Sequence, residues 1–304
     1  MTHSDLPLSY QIPQTNHASL DFASEFPDEY KEWHTKSNSI ITLSTRTERD
    51  LWSFCDLLTK KGQRFTKFFE PDCGWALTAI AIVPGPDVKK ICSGIPLAGK
   101  YNNPKAQENF KALKDTVYEM TQCSQSKGQN MLEHGLSVRD YMFDLVSFLK
   151  DASVPLKHQW KMPSWFFPYA ASLSRNLCSD FTIDRYTTMH DCGKPKVKIL
   201  SEKGTFQFPG HAQASYETWL TFSEDQEIGE LIRRDMEVHT LKTEQVPEFC
   251  KGDKRIACTL LLAGLSEIHS NSLMFGGMES DSFKIKFKHL EKKGKAICEL
   301  LFPL

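Results

Sequence analysis

Residues 187–195 read TTMHDCGKP, and the pair His190-Asp191 at their centre decides how the rest of the chain is read. An imidazole and a carboxylate on adjacent residues can serve one metal centre, and the carboxylate can bridge two cations. Upstream, a helix is expected to start near Asn130, with His134, Val138, Tyr141, Met142, Leu145 and Leu149 along one face. Downstream, His211 stands in FPGHAQAS (208–215) at an expected helix start, and Asp235 stands in LIRRDMEVH (231–239). Glu267 lies in LLAGLSEIHSNS (261–272), on a helical face shared with Ile256, Leu260, Ala263, Gly264, Asn271 and Met274. A carboxylate on such a face points inward, which is costly unless it is paired or binds a metal.

Each of these residues also has a plain structural reading. An inward His134 can be a satisfied core residue, Asp235 can cap a helix or pair with Arg234, and Glu267 can pair with a buried arginine. The ordered set His134, His190, Asp191, His211, Asp235 and Glu267, each on or beside a helix of one region, is what argues for chemistry. Imidazole and carboxylate donors suit Mn, Fe, Co, Ni or Zn, and carboxylate-rich sites also accept Mg. One or two such ions would lower the pKa of water toward neutrality and neutralise charge on a phosphoryl oxygen. Lys194 can meet a substrate phosphate as a point charge. Arg233 and Arg234 are further candidates for substrate contact.

The set H…HD…D resembles the HD superfamily of metal-dependent phosphohydrolases. It is most similar to the HD domains of tRNA nucleotidyltransferases and RNA-end-healing enzymes, through HDCGKP (190–195), FPGHAQAS (208–215) and LIRRD (231–235). The resemblance covers residues 130–275 or so. It implies one metal on His134, His190, Asp191 and Glu267 and a second on Asp191, His211 and Asp235, with Asp191 and Lys194 as catalytic residues. Asp235 stands where many relatives have His, and Glu267 where the last Asp is expected. Both keep a donor atom and shift the preference toward harder, oxygen-preferring metals. His239, one helical turn past Asp235, is the stand-in ligand and joins Lys194 and Arg234 as a candidate for substrate binding. The implied function is a phosphomonoesterase or phosphodiesterase acting on a nucleotide, a cyclic phosphate or an RNA end through a metal-activated water. Two alternatives remain: an HD-type di-iron oxygenase, against which Asp235 counts, and a non-catalytic module that binds nucleic acid or protein.

Around this centre the expected fold class is α+β. Residues 1–37 are expected to form an irregular arm, residues 38–104 a small α/β module, and residues 105–304 a helical HD domain with a strand-helix extension. In the module, TERDLWSFCDLLTKKG (47–62) has helical spacing, and RFTKFFEP and WALTAIAIV read as strands about a DCG turn. With VKKICSGIPL, these segments resemble the C-terminal half of type 2 peptidyl-tRNA hydrolases over about sixty residues. That implies an accessory module binding a partner or RNA. Further along, KHQWKMPSWFFP (157–168) is expected to wrap the core as a loop. KILSEKGTFQF (198–208) reads as a hairpin around Lys203-Gly204, and FKIKFK (283–288) alternates like a strand. The basic stretch 284–295 is most simply a solvated face, and its alternating lysines also suit nucleic acid.

Composition sets outer bounds. The 304 residues are 40% hydrophobic and 25% charged with net charge −1, so no global positive field advertises nucleic acid. No apolar run reaches the roughly 18 residues of a membrane span, and the polar N-terminus lacks a signal-peptide pattern. The nine cysteines are odd in number and scattered with no CxxC, which reads as buried thiols of a reduced cytoplasm. Cys192, beside the proposed centre, is a candidate for oxidation.

Overall fold

A computed structural model describes residues 1–303 except 38, 102, 127 and 203. The chain is of the α+β class, mostly helical, and divides into two compact units, Met1–Val117 and Tyr118–Leu304.

The first unit holds β1 (Thr2–His3), α1 (Leu8–Glu25), α2 (Pro27–Lys36), β2 (Ser44–Thr45), α3 (Glu48–Lys60), β3 (Phe65–Glu70), β4 (Ala76–Ile82), α4 (Pro86–Cys92) and most of α5 (Ala106–Gln122). Its sheet runs β2-β1-β4-β3, with β1 parallel to β2 and the remaining pairs antiparallel. The expected helix, strand, turn, strand succession is present, and α3 opens on a reciprocal Thr47–Asp50 capping box.

Two expectations about this unit are corrected. Residues 1–36 are not an irregular arm: β1 enters the sheet, and two helices follow. The buried stripe of α1 is Gln11, Gln14, Thr15, Ala18 and Phe22. It is largely polar, so apolar periodicity hides it. Gln14 donates to Glu70 Oε2 (2.7 Å) and accepts at Oε1 from Thr78 Oγ1 (2.7 Å), satisfying its amide against the sheet. The division between units also falls inside α5 rather than before residue 105. Phe110 of that helix packs with Leu6, Cys73 and Ala76 of the first unit.

After the end of α5, the second unit continues with a small antiparallel pair, β5 (Ser124–Ser126) and β6 (Gln129–Asn130). Then come α6 (Met131–Lys150), α7 (Phe166–Arg175), α8 (Asp180–Met189), the single turn α9 (Lys194–Val197), β7 (Ile199–Leu200), β8 (Phe206–Gln207) and α10 (His211–Trp219). The chain continues through α11 (Gln226–Arg234), α12 (Glu237–Thr240), α13 (Val246–Phe249), α14 (Lys254–Ser270) and α15 (Asp281–Leu301). Helix α14 is buried almost all round from Ile256 to Ser266 and is the centre of the core, against which α6 packs. The loop after α6 wraps the core as expected. Asp144 anchors it by accepting from Lys157 N (2.8 Å), His158 N (3.0 Å) and Trp160 Nε1 (2.8 Å).

The expected hairpin over 198–208 is present as β7 and β8, pairing Ile199 with Gln207 and Leu200 with Phe206; Lys203 lies outside the described residues. FKIKFK is not a strand. It lies in the first turns of α15, where Phe283 and Phe287 are buried one turn apart and Ile285 is 71% exposed. Its alternation also fits i, i+4 spacing, and Ser280, accepting from Phe283 N, caps the helix.

Candidate metal centre

Three helices bring the central residues together. Asn130 and Glu133 form a capping box that starts α6 and sets His134 in its first turn. At the next residue, α6 touches α8 backbone to backbone: a Cβ on Gly135 would sit 2.2 Å from the Thr188 carbonyl oxygen. Only glycine permits that approach, and it brings His134 beside His190, with ring centroids 5.2 Å apart. Gly193 of the HDCGKP string does the same on the other side. Its Cβ would lie 2.2 Å from Ser215 N, and its own N–H donates to Ser215 Oγ (3.0 Å). This contact seats α10, and so His211, against the His-Asp pair.

His134, His190 and Asp191 are all buried, each offering a ligand atom within 4.8 Å of the others. Asp191 is the hub. Its Oδ2 lies 3.5 Å from His134 Nε2, 3.3 Å from His190 Nε2 and 2.5 Å from Lys194 Nζ, and its Oδ1 lies 3.7 Å from His211 Nε2. The outer nitrogens of two histidines are already engaged: His190 Nδ1 with Thr187 O (2.8 Å) and His211 Nδ1 with Phe208 O (3.0 Å). Held in this way, both rings aim Nε2 at Asp191, since a carbonyl that accepts from the far ring nitrogen fixes both the tautomer and the orientation of an imidazole.

Asp235 and Glu267 stand slightly apart from these three. Both line a narrow internal gap with His190, Tyr186, Thr187, Val138 and Ala263. Tyr186 donates to Asp235 Oδ1 (2.6 Å), and His239 Nε2 lies 2.7 Å from Glu267 Oε2. The six expected ligands therefore share one region, but only His134, His190 and Asp191 form the compact group. His239 faces Glu267 rather than Asp235. Arg234 turns away to Glu237 Oε2 (2.8 Å) and the Phe249 carbonyl (2.9 Å), on the wall of a separate surface cleft. Arg233 pairs with Glu230. Lys194, expected to meet substrate, is buried against Asp191 and also donates to Gln125 Oε1 (3.2 Å).

Burial and charge pull the ionisable groups apart. Burial alone would raise the Asp191 carboxyl, but Lys194 and then His190 outweigh it and hold the group well below the usual carboxylate range. Burial opposes charge on His190 too, yet Asp191 and Asp235 raise it to about 10. Burial lowers His134 to about 4, only partly offset by Asp191. Burial, reinforced by Glu267 and Asp191, pushes the Asp235 carboxyl up, whereas the charge on His239 outweighs burial at Glu267 and pushes that carboxyl down. One buried cluster thus holds a neutral imidazole, a charged imidazole and an ionised carboxylate.

The fit to a cation rests on unpartnered atoms. Both ring nitrogens of His134, Nε2 of His190 and Oδ1 of Asp191 are buried without a hydrogen-bond partner among the described residues. Buried polar atoms are nearly always satisfied, and these orphans, with one ligand atom from each of the three residues within 4.8 Å of the others, leave a group that could bind a metal ion. Nitrogen and oxygen donors of this kind suit a borderline or hard divalent metal.

Tyr186 and Gln125 belong to the site without having been expected. Tyr186 precedes His190 by one turn on α8, a spacing that was available as a signal, whereas nothing in the polar stretch 124–129 marks Gln125. The surroundings of Cys192 do not favour the oxidation for which it was a candidate. It is fully buried, burial pushes its thiol far up, and Sγ donates to Ser215 O (3.4 Å). Comparison with protein-family models, curated proteins and solved structures finds no significant match to the chain.

Proposed function

We propose that the second unit is a metal-dependent phosphohydrolase of the HD type, acting on a nucleotide, a cyclic phosphate or an RNA end. The observation that supports it most is the buried His134, His190 and Asp191 cluster with its unpartnered donor atoms. In this reading these three residues hold a divalent ion, His211 and Asp235 flank a second position, and Glu267 is drawn in from His239. The bound ion supplies positive charge at a phosphoryl oxygen and a lowered pKa for water.

The protein's own residues do the rest. Thr187 and Phe208 fix His190 and His211 through their carbonyls, so each presents Nε2. Tyr186 holds Asp235 by its Oδ1. Lys194 keeps a buried cation beside Asp191, where it can meet the charge that builds on a phosphoryl group under attack.

The test is phosphate release by protein loaded with Mn, Mg, Co or Ni across nucleotides, cyclic nucleotides and RNA with 2′,3′-cyclic phosphate ends. Release that requires metal and is lost in Asp191→Ala supports the reading. Silence from protein holding iron points to a di-iron oxygenase, and silence from protein that takes up no metal points to a binding module.

A further inference from the structure

The hairpin between the two halves of the candidate centre carries a pattern of its own. It leaves α9 just after Asp191 and returns to His211, so both ends are tied to proposed ligands. At its base, Lys194 Nζ lies 5.5 Å from the centre of the Phe208 ring. Further out, Lys198 Nζ lies 3.7 Å from the centre of the Phe206 ring. Phe206 and Phe208 are two residues apart in extended chain, a spacing that puts side chains on one face. The hairpin's paired strands are apolar yet exposed: Ile199 is 48%, Leu200 66% and Phe206 51% accessible. Lys196 is exposed as well, and in residues 193–207 Glu202 is the single carboxylate against Lys194, Lys196, Lys198 and Lys203.

An apolar strand pair built for a protein partner needs no cation beside each ring. Two lysine–phenylalanine pairs in succession, stepping outward from a phosphate-directed centre, match a chain that offers one phosphate and one flat π-face per unit. Single-stranded nucleic acid is such a chain, and an unstacked strand exposes the base faces that aromatic rings bind. We propose that this hairpin is a strand-binding element: the substrate is a single-stranded polynucleotide end, with its terminal phosphate at the His134, His190 and Asp191 cluster beside Lys194, and the next nucleotides on Phe208 and on Phe206 with Lys198. This rests on the phosphohydrolase reading and narrows its substrate from free nucleotides to strand ends.

The experiment measures binding of a fluorescein-labelled single-stranded RNA octamer to the full chain by anisotropy, beside the corresponding duplex and a labelled nucleoside monophosphate. The octamer is expected to bind tighter than both. Phe206→Ala is expected to weaken it on the order of tenfold, because a stacked base is lost, and Phe206→Trp to retain it. Lys198→Ala is expected to reduce the slope of log affinity against log salt by about 0.7, one phosphate contact on a single strand. An octamer bound no tighter than the monophosphate, or equally by wild type and Phe206→Ala, overturns the proposal; a hairpin that docks a protein gives that result. Mn binding on the same preparations reports separately on the metal reading. Failure to take up Mn with Phe206-dependent RNA binding intact removes the hydrolase and leaves the strand-binding hairpin.

Discussion

Asp191 carries four near neighbours on one carboxylate, and the balance of charge around it sets what the centre does with pH. His190 is held protonated up to about 10 by Asp191 and Asp235, and a proton on Nε2 excludes a metal. Metal uptake must therefore release that proton, so affinity should rise with pH between 6 and 8, by up to roughly tenfold per unit for one proton. Calorimetric titration in buffers of different ionisation enthalpy is expected to show about one proton released per ion. The same shift acts on stability with a definite sign. A folded pKa raised above 6.5 stabilises the native state fully below that value, and the contribution fades as pH rises through about 10. Gly193 gives a second test at this scale. Gly193→Ala places a methyl 2.2 Å from Ser215 N, so α10 must move and carry His211 from Asp191. A loss of about 3 kcal/mol, read as a drop in Tm together with weaker metal binding, is expected. His190-Asp191 was legible because the pair is contiguous, and His134 because it sits on an apolar stripe. Glu267 was legible only as an inward carboxylate, since its pairing with His239 joins two helices whose approach no local pattern reveals.

At the scale of elements, the loop from 151 to 165 shows how one buried carboxylate organises a segment without secondary structure. Asp144→Ala would leave Lys157 N, His158 N and Trp160 Nε1 without their acceptor, a loss of about 3 kcal/mol expected in denaturant unfolding. Burial opposes ionisation of Asp144, but the Trp160 indole and the two backbone donors lower its pKa overall. Its stabilising contribution is therefore present above the ordinary Asp range and lost as pH falls through the lower folded value, so wild type and Asp144→Ala should converge in acid. The elements that escaped the sequence did so for identifiable reasons. Helix α1 buries Gln11, Gln14 and Thr15, so its inward face looks like a solvated one. FKIKFK satisfies strand and helix periods at once, and Ser280 and the buried pair Phe283 and Phe287 decide between them. The helices around His190 were legible because α6 and α14 carry continuous apolar faces and α8 ends at the His190-Asp191 pair.

Across the whole molecule, nine cysteines are present as free thiols, and no helix among the described residues is long and apolar enough to cross a membrane. Burial pushes Cys55, Cys258 and Cys298 up to about 12, and only Cys92 and Cys250 are half-accessible. A native thiol titration is therefore expected to label those two quickly and the other seven only on unfolding; rapid labelling of Cys192 would contradict the packing described around Gly193. The charge of −1 over the full chain concealed the local run of lysines on the hairpin, because the sum averages over both units. A divalent-metal centre in the second unit is tested most directly by the metal bound per chain. Calorimetric titration with Mn, supported by elemental analysis of the dialysed protein, is expected to give one or two ions per wild-type chain and none for a folded Asp191→Ala variant. A wild-type protein that retains no metal, or a variant that binds as much as wild type, would contradict it.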